Sequence, residues 1–470
     1  MYFLARAGNG VLSILTLAIF TRVLSTQEYG IYSLGMATVT MASVVFFQWL
    51  SLVIGRFYPM YEDNPETILT AIARGFLYAT LIVALLFFAA LPFHGLFNIK
   101  PSLLGLLFLI TIILGRHNIA LQLANSKNMS FHFSLLSWTR SGVAIVVGWA
   151  LIYFGLGAKG ALLGFLSGLV ISLLIFNPKP RLKLGFRREG GYSTLKMFRY
   201  GLPLTLNFFA IAVVDTADRF MIGGLLGTEH VASYAVVYDL VQQLIGPILN
   251  VLFLSAYPII VRSFEVEGDE SVRIRLNTLG RTLLGIGLPA TVGLGVLSGD
   301  VVEVIFGSDF RLEAKGIMPW LAAAIFFGCF KAYFFDIALQ LRHATKFLGY
   351  IALFMAIINI ILNLILLPRY GVIAAAWSTL ASFFIGFLLS WLIANSLFPL
   401  PSLGKDIFGA SFASLIMAVV LYILPPIGGV AWLLVEILLG ISIYALLAWL
   451  LNIANCQSYL DVFISRRSTL

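Results

Sequence analysis

The sequence predicts an all-α polytopic membrane protein with about fourteen transmembrane helices. Hydrophobic residues make up 60% of the 470 residues and charged residues only 11%, whereas a soluble domain is about half apolar and about a quarter charged. Apolar runs recur along the whole chain and lack the period-two alternation of a transmembrane strand. Because a single soluble core stops growing near about 300 residues, this composition excludes a soluble enzyme, a disordered scaffold and a disulfide-stapled secreted domain.

Each long apolar run is a candidate membrane span, because a helix needs about 20 mostly apolar residues to cross the hydrocarbon core. The runs predict spans at 7–24, 31–54, 70–93, 102–124, 130–154, 160–177, 198–224, 230–259, 277–299, 316–341, 347–367, 371–397, 406–424 and 428–452. Short polar segments separate the spans, and the longest outer loop is predicted at 300–315.

The basic residues indicate the orientation of the spans. If the N-terminus is cytoplasmic, most of the 30 Lys and Arg residues fall in cytoplasmic segments, as the positive-inside rule requires. We therefore expect both termini in the cytoplasm. The formal net charge of +9 has the same explanation, and it does not indicate a nucleic-acid partner. The longest linker, 178–197, is basic and contains Pro and Gly, so it marks a boundary and also suits the anionic lipids of the inner leaflet.

An internal repeat supports a boundary at this linker. Residues 22–34 align without gaps to 224–236, and residues 153–166 align to 367–380. A Tyr-Pro pair recurs between these matches, in the same order. Because six helices is an even number, the two halves enter the membrane from the same side and are related by an axis along the membrane normal.

The repeat and the linker together predict the organisation of the chain. The predicted divisions are an N-terminal six-helix lobe (1–177), the basic cytoplasmic linker (178–197), a C-terminal six-helix lobe (198–397), and two extra helices with a cytoplasmic tail (398–470).

Arginine residues are the main binding candidates in the first half. They occur in or at the ends of spans one to five, and no acidic residue occurs between Glu66 and Glu189. Since Arg binds phosphate oxygens through paired N–H groups, one interpretation is a cationic cavity for an anionic headgroup. The other is that these side chains extend to the membrane interface. Arg140 is the strongest candidate because it lies roughly ten residues into its span. The full candidate set is Arg140, Arg22, Arg56, Arg74, Arg116 and, in the second half, Lys331.

Acidic residues inside spans suggest a second kind of site. Charged groups within the membrane are costly and usually face a cavity or a partner. Asp215 and Arg219 are four residues apart and can pair on one helix face. One explanation is a structural ion pair between the seventh and eighth spans, and the other is a proton or sodium site coupled to transport. The ion-coupling candidates are Asp215, Asp218, Arg219, Asp239 and Asp336.

Other motifs do not indicate catalysis. Residues 155–160 spell GxGxxG without a preceding strand, which predicts a tight external turn rather than a nucleotide site. The five histidines are scattered and the two cysteines are isolated, so no metal site or catalytic triad is indicated. Gly164 and Gly168 predict a close helix-packing face. We expect no metal, no cofactor and no enzymatic activity.

Three stretches resemble a known family. They are FTRVLSTQEYGIYSL (20–34), DRFMIGGLLGTEHVASYAVVYDL (218–240) and LILLPRYGVIAAAWSTL (364–380). In this order and spacing they are similar to the polysaccharide-transporter branch of the multidrug/oligosaccharidyl-lipid/polysaccharide flippase superfamily, which includes the O-antigen flippases of lipopolysaccharide synthesis.

The resemblance implies a function and a location. It implies alternating access by two lobes around a central cavity, and export of a polyprenyl-pyrophosphate-linked oligosaccharide across the inner (cytoplasmic) membrane. The implied partners are the lipid-linked glycan, membrane lipids, and glycosyltransferases or a polymerase of the same pathway. The alternative is an ion-coupled multidrug exporter of the same superfamily, although such a protein favours an acidic cavity. A membrane-bound polymerase and a non-transporting structural partner are further alternatives.

Overall fold

The computed structural model describes residues 2–61, 65–93, 100–176 and 194–457. In these residues the regular secondary structure is helical, with no strand, which confirms the predicted all-α class. Residues 178–193 of the basic linker and the tail from residue 458 lie outside the described residues.

The first part of the chain forms long helices joined by short turns. These are α1 (Tyr2–Val23), α2 (Thr26–Phe57), α3 (Pro65–Ala90), α4 (Pro101–Ser126), α5 (Ser130–Leu151), α6 (Gly157–Phe176) and α7 (Thr194–Leu225). Short 3-10 turns at Tyr58–Tyr61 and Leu91–Phe93 follow α2 and α3, and a wide π-type turn at Ile152–Leu156 joins α5 to α6.

The remainder of the chain continues the same pattern. Its helices are α8 (Thr228–Val266), α9 (Asp269–Val296), α10 (Ser298–Ile305), α11 (Arg311–Phe330), α12 (Asp336–Leu341), α13 (Lys346–Tyr370), α14 (Val372–Leu397), α15 (Gly404–Ile423) and α16 (Val430–Leu450). A π-helical turn at Lys331–Phe335 joins α11 to α12, and 3-10 turns lie at Ser308–Phe310 and Ile453–Asn455.

The predicted spans each correspond to a helix. Within the described residues, 11 helical stretches are long and apolar enough to cross a membrane. In this count α5 and α6 form one stretch, the apolar part of α1 is too short, and α7 is not included. The chain is therefore a multi-pass membrane protein. The outer loop predicted at 300–315 differs from expectation, because it contains the short helix α10 and the first turn of α11.

Local sequence explains where several helices begin and end. The Ser25 hydroxyl caps α2 by accepting a hydrogen bond from the Glu28 backbone N–H, and Pro101 occupies the first turn of α4, where its missing N–H is not needed. Gly155 and Gly157 have positive φ in the turn before α6, a conformation that favours glycine. The GxGxxG stretch is therefore the tight turn that the sequence predicts.

The chain forms two compact units, Met1–Ala232 and Ser233–Leu470. The division falls within α8, whereas the repeat places it at the linker 178–197. The physical reason is that α7 packs along α2 and α3, with Gly201 so close to Trp49 that a side chain at residue 201 would meet it. By packing, α7 therefore lies with the first unit.

Two of the motifs that carry the family resemblance meet inside the first unit. The backbone of Gly30, at the start of α2, lies so close to the Thr228 carbonyl oxygen at the start of α8 that a Cβ atom at Gly30 would overlap it. The Arg219 guanidinium donates to the Ser33 hydroxyl at 3.2 Å. The Glu28 carboxylate accepts from the backbone N–H of Ala158, at the positive N-terminal end of α6.

Each unit has its own core. In the first unit, buried residues of α2, α3 and α4 form one apolar cluster around Phe47 and Leu50, and α4 and α6 meet in a second cluster around Ile110 and Leu162. In the second unit, α11 packs on α9 and α14. These cores hold the helices that carry the polar groups described next.

Candidate functional site

Arg140 lies in the interior of the first unit, half-way along α5. Its Nε atom is buried without a hydrogen-bond partner. The guanidinium carbon lies 6.0 Å from the centre of the Phe165 ring of α6, a cation–π distance, and Tyr32 of α2 is an electrostatic neighbour. Among the described residues no carboxylate pairs with Arg140. The described part of the first unit therefore holds a half-buried cation whose Nε donor has no partner.

Two further basic residues approach Arg140 from α4. Arg116 precedes the end of α4 by ten residues and Arg140 follows the start of α5 by ten residues, so each lies about 15 Å from the turn between these two helices. His117 is 0% exposed, and both Arg140 and Arg116 act on it electrostatically. The hairpin of α4 and α5 thus places three basic side chains at about the same distance from the turn that joins the two helices.

The His117 imidazole has no hydrogen-bond partner at either ring nitrogen. The Leu136 backbone of α5 acts on the imidazole without meeting hydrogen-bond geometry. The imidazole is buried beside two guanidinium groups, surroundings that favour the uncharged ring. An imidazole ring has two nitrogen atoms that can form hydrogen bonds, and in His117 both are buried and unpaired.

Close packing of α5 on α6 fixes the backbone of Arg140. A Cβ atom at Gly168 would overlap the Arg140 carbonyl oxygen, and one at Gly164 would overlap the Gly148 backbone. This confirms the packing face predicted for Gly164 and Gly168. The two glycines leave no room for α5 to shift toward α6, so the position of Arg140 along the helix pair is rigid.

A polar pair from α1 and α5 lies next to Arg140 in the sequence. The Ser141 hydroxyl donates to the Asn9 side-chain oxygen at 2.8 Å, and α1 packs along α5. The groups that interact with Arg140 come from α2, α4 and α6, and α1 contacts the next residue of α5. We call Arg140, Arg116, His117, Asn9 and Ser141 the α4–α5 basic site.

The other arginines predicted as binding candidates are not gathered at this site. Arg22 is exposed in the last turn of α1, where it donates to the Ala18 carbonyl at 2.8 Å. Arg56 is exposed in the last turn of α2, and Arg74 is half-buried in α3. Because α2 has 32 residues and rises about 1.5 Å per residue, Arg22 and Arg56 lie close to opposite ends of a helix about 48 Å long.

Lys331 and Asp336 form a buried ion pair in the second unit. Lys331 Nζ lies 2.8 Å from Asp336 Oδ2, and the Ser390 hydroxyl donates to Asp336 Oδ1 at 3.0 Å. The π-helical turn between α11 and α12 brings the two residues together at a spacing of five, and Phe330, Phe334 and other aromatic rings surround them. Each charge is compensated by its neighbour.

The acidic candidates of α7 and α8 lie in different environments. Asp218 is 0% exposed and Arg219 is 8% exposed, and Arg219 bonds to Ser33 of α2. Asp215 and Asp239 are half-buried. Their role in ion coupling stays a prediction.

Sequence reasoning missed two buried titratable residues. His117 was set aside with the other histidines, although it directly follows Arg116 within an apolar span and Arg140 occupies the matching depth of the next span. Glu436 of α16 is 3% exposed. In the sequence, Glu436 is recognisable as the single acidic residue within the predicted span 428–452.

Comparison with known proteins now assigns the family. A family described as "Polysaccharide biosynthesis protein" matches residues 19–314, which is more than half of the chain. The chain belongs to this family. A relative named "Probable flippase AglR" from Haloferax volcanii is 25% identical over 441 residues, covering 90% of this chain and 88% of the relative.

Solved structures share the fold of this family member. The lipid II flippase MurJ in an inward closed conformation matches with a TM-score of 0.69 and 19% identity, over 96% of this chain and 98% of that chain. An inward-facing multidrug resistance transporter of the MATE family matches with a TM-score of 0.63 and 15% identity, over 84% and 95%. At these identities the structures show the fold alone. The family match and the flippase relative confirm the polysaccharide-flippase branch that the three motifs predict.

Proposed function

We propose that this protein is a flippase that moves an oligosaccharide linked to polyprenyl pyrophosphate from the cytoplasmic to the outer leaflet of the cytoplasmic membrane. Membership of a polysaccharide biosynthesis family and the named flippase relative support this proposal. Both termini then lie in the cytoplasm, where the basic segments of the sequence accumulate. Glycosyltransferases or a polymerase of the same pathway are the expected partners.

The observation that carries the proposal is the unfilled hydrogen-bonding capacity of Arg140. A charged side chain inside a membrane protein is costly and usually faces a partner or an aqueous path, and the described residues offer Arg140 no carboxylate. A guanidinium group matches phosphate oxygens with paired N–H donors. A pyrophosphate is therefore a ligand that suits the charge and the donor geometry of this half-buried side chain.

The neighbours of Arg140 strengthen the preference for an anion. Arg116 adds a second positive charge, and the neutral His117 imidazole adds a hydrogen-bond donor without adding charge. Because the interior has a lower effective dielectric than water, each charge acts more strongly there than it would at the surface. The Asn9 and Ser141 pair supplies neutral donors and acceptors of the kind that bind a sugar hydroxyl.

The proposed mechanism involves no bond making. The α4–α5 basic site binds the pyrophosphate headgroup and compensates its charge within the protein, while the polyprenyl tail stays in the lipid. Alternating access then exposes the headgroup to one side of the membrane and then to the other. A charged headgroup is least stable in the middle of the hydrocarbon layer. Arg140 lowers the free energy of the headgroup at that depth.

An ion-coupled multidrug exporter is the alternative function, because the MATE family shares the fold. A multidrug exporter with an acidic cavity attracts cationic substrates. In this protein the positive charges of Arg116 and Arg140 would repel such substrates. The α4–α5 basic site therefore favours the anionic cargo.

Leaflet transfer in liposomes tests the proposed function. The full-length protein is reconstituted with a fluorescent polyprenyl-pyrophosphate saccharide in one set of vesicles and with a fluorescent cationic amphiphile in another. We expect protein-dependent transfer of the saccharide lipid and no transport of the cation. Transport of the cation without transfer of the saccharide lipid would contradict the proposal and support the multidrug alternative.

A further inference from the structure

Glu436 is a buried carboxyl group in the second turn of α16, the last membrane-spanning helix. Its residue is 3% exposed, and its Oε2 atom is buried without a hydrogen-bond partner. The Trp432 indole N–H, one turn earlier, also lacks a partner of good geometry. Among the described residues no Lys, Arg or His forms an ion pair with Glu436.

The surroundings of Glu436 on its own helix face are apolar. The buried residues of α16 are Leu433, Glu436 and Gly440, which form one narrow stripe. Gly440 lies against Leu421 and Met417 of α15. A divalent metal cation takes about six oxygen ligands or more, and the described residues contain no group of acidic, His or Cys side chains that could hold a metal ion. The stripe therefore does not suit a metal cation.

The charged groups nearest Glu436 come from α10 and α11. Asp300 of α10 acts on Glu436 as a like charge, and Glu303 of the same helix is exposed. Lys315 of α11 lies beside Gly299 but forms no ion pair with a described carboxylate.

The other helices that pack on α16 present no ionisable side chain near Glu436. These helices are α9 and α15, and their Asp, Glu, Lys and Arg residues lie in the first half of α9 and the first turn of α15, at the opposite end from the second turn of α16. Tyr422, in the last turn of α15, is exposed. Tyr444 and Cys456 lie toward the other end of α16. Asp300 is therefore the charge that acts on Glu436 most directly.

We propose that Glu436 is a proton-binding site that carries a proton at neutral pH. The Trp432 indole N–H acts on the Glu436 carboxyl group without reaching hydrogen-bond geometry. A buried carboxylate without a cation or a well-placed donor is strongly unfavourable in an apolar interior, whereas the neutral acid is not. The negative charge of Asp300 disfavours ionisation further. Loss of the proton requires the second turn of α16 to move toward water, so protonation favours the packed position of α16 against α10 and α15. This site is separate from the α4–α5 basic site and does not rest on the flippase function.

Modification by dicyclohexylcarbodiimide tests this site, because the reagent is apolar and reacts with protonated carboxyl groups. The full-length protein in lipid nanodiscs is treated at a series of pH values, and the modified residue is located by mass spectrometry of its peptides. We expect modification of Glu436 at neutral pH and less modification as the pH rises. Glu303, on the exposed face of α10, serves as the internal control and is expected to stay unmodified.

Two variants give the test its specificity. Glu436→Gln imitates the neutral acid, so we expect it to lose the modification and to keep the melting temperature of the wild type. Asp300→Asn removes the like charge, so we expect less modification of Glu436 at a given pH, whereas Glu303→Gln leaves it unchanged. An unmodified Glu436 in folded wild-type protein at both neutral and acidic pH would overturn the proposal. Protection of Glu436 by sodium ions would also overturn it, because it would indicate a metal cation in place of the proton.

Discussion

The guanidinium of Arg140 lies 6.0 Å from the centre of the Phe165 ring, and this cation–π contact is its main compensation within the described part of the first unit. Such a contact contributes about 0.5–2 kcal/mol, which is less than the cost of about 2.5–3.5 kcal/mol for placing an arginine at the centre of a membrane helix. The balance is unfavourable in the unliganded protein. Under the proposed function, an anion bound at Arg140 would reverse this balance.

Replacing Arg140 by Gln is expected to impair transfer of a pyrophosphate-linked saccharide without lowering stability. Hydrogen bonds to a charged group contribute about 1.5–3 kcal/mol, so we expect about a 10- to 100-fold loss of headgroup affinity. Because Arg140 is half-buried and has no ion-pair partner among the described residues, we expect removal of its charge to leave the melting temperature unchanged or to raise it. Arg140→Lys keeps the charge but loses the paired donors, so we expect an intermediate affinity. Vesicle transfer assays and thermal unfolding in detergent measure the two effects.

The control for Arg140→Gln is the same substitution at Arg262, an exposed arginine of α8. We expect Arg262→Gln to match the wild type in transfer and in melting temperature. If Arg140→Gln lowered the melting temperature by several degrees and left transfer intact in folded protein, Arg140 would be a structural residue and the role given to it here would be wrong.

The sequence predicts the helices well but the convergence of polar groups poorly. Apolar runs of spanning length identify α4 and α5, because each span must satisfy its backbone polar groups internally. The depth shared by Arg116 and Arg140 follows from equal distances to the turn at residues 127–129. Which face of α5 packs on α6 depends on close contacts such as those of Gly164 and Gly168, and a list of arginines does not contain that information.

Breaking the buried ion pair between Lys331 and Asp336 is expected to destabilise the protein, because one uncompensated charge then remains. Removal of one partner of a buried pair costs about 3–5 kcal/mol. We expect Lys331→Met alone and Asp336→Asn alone each to lower the melting temperature. We expect the double variant to recover most of the loss, since Asn keeps an acceptor for the Ser390 hydroxyl. Fluorescence-detected size-exclusion chromatography after heating measures all three.

The double variant also distinguishes a structural pair from an ion-coupling site. If the pair only stabilises α12 against α14, the recovered double variant transfers the saccharide lipid at about the wild-type rate. Full stability with abolished transfer would instead show that Asp336 or Lys331 takes part in coupling.

Enlarging Gly30 is expected to separate the first turns of α2 and α8. A side chain there would overlap the Thr228 carbonyl oxygen, which is backbone and has little freedom to move. Overpacking typically costs about 1–3 kcal/mol, so we expect Gly30→Val to lower the melting temperature and to slow transfer. The matched control is Gly142→Ala in α5, because no atom lies within 4 Å of a Cβ atom there and Ala favours a helix over Gly. Equal stability of Gly30→Val and the wild type would contradict the close contact.

The contact between Gly30 and Thr228 also shows where pattern reasoning succeeds and where it ends. The repeat aligns 22–34 with 224–236 and so identifies the starts of α2 and α8 as related segments. It does not show that they touch, and it places the boundary of the halves before α7. The contacts between α7 and α2 place α7 in the first compact unit. The sequence repeat alone groups α7 with the second half of the chain.

The most direct test of the central claim compares two cargo lipids that differ only in charge. Leaflet transfer is measured in liposomes for a saccharide on polyprenyl pyrophosphate and for the same saccharide on an uncharged polyprenyl linker, with wild-type protein and with Arg140→Gln. We predict that the wild type transfers the pyrophosphate lipid much faster than the uncharged lipid and that this preference disappears in the variant. A preference of equal size in both proteins would contradict the claim that Arg140 recognises the anionic headgroup.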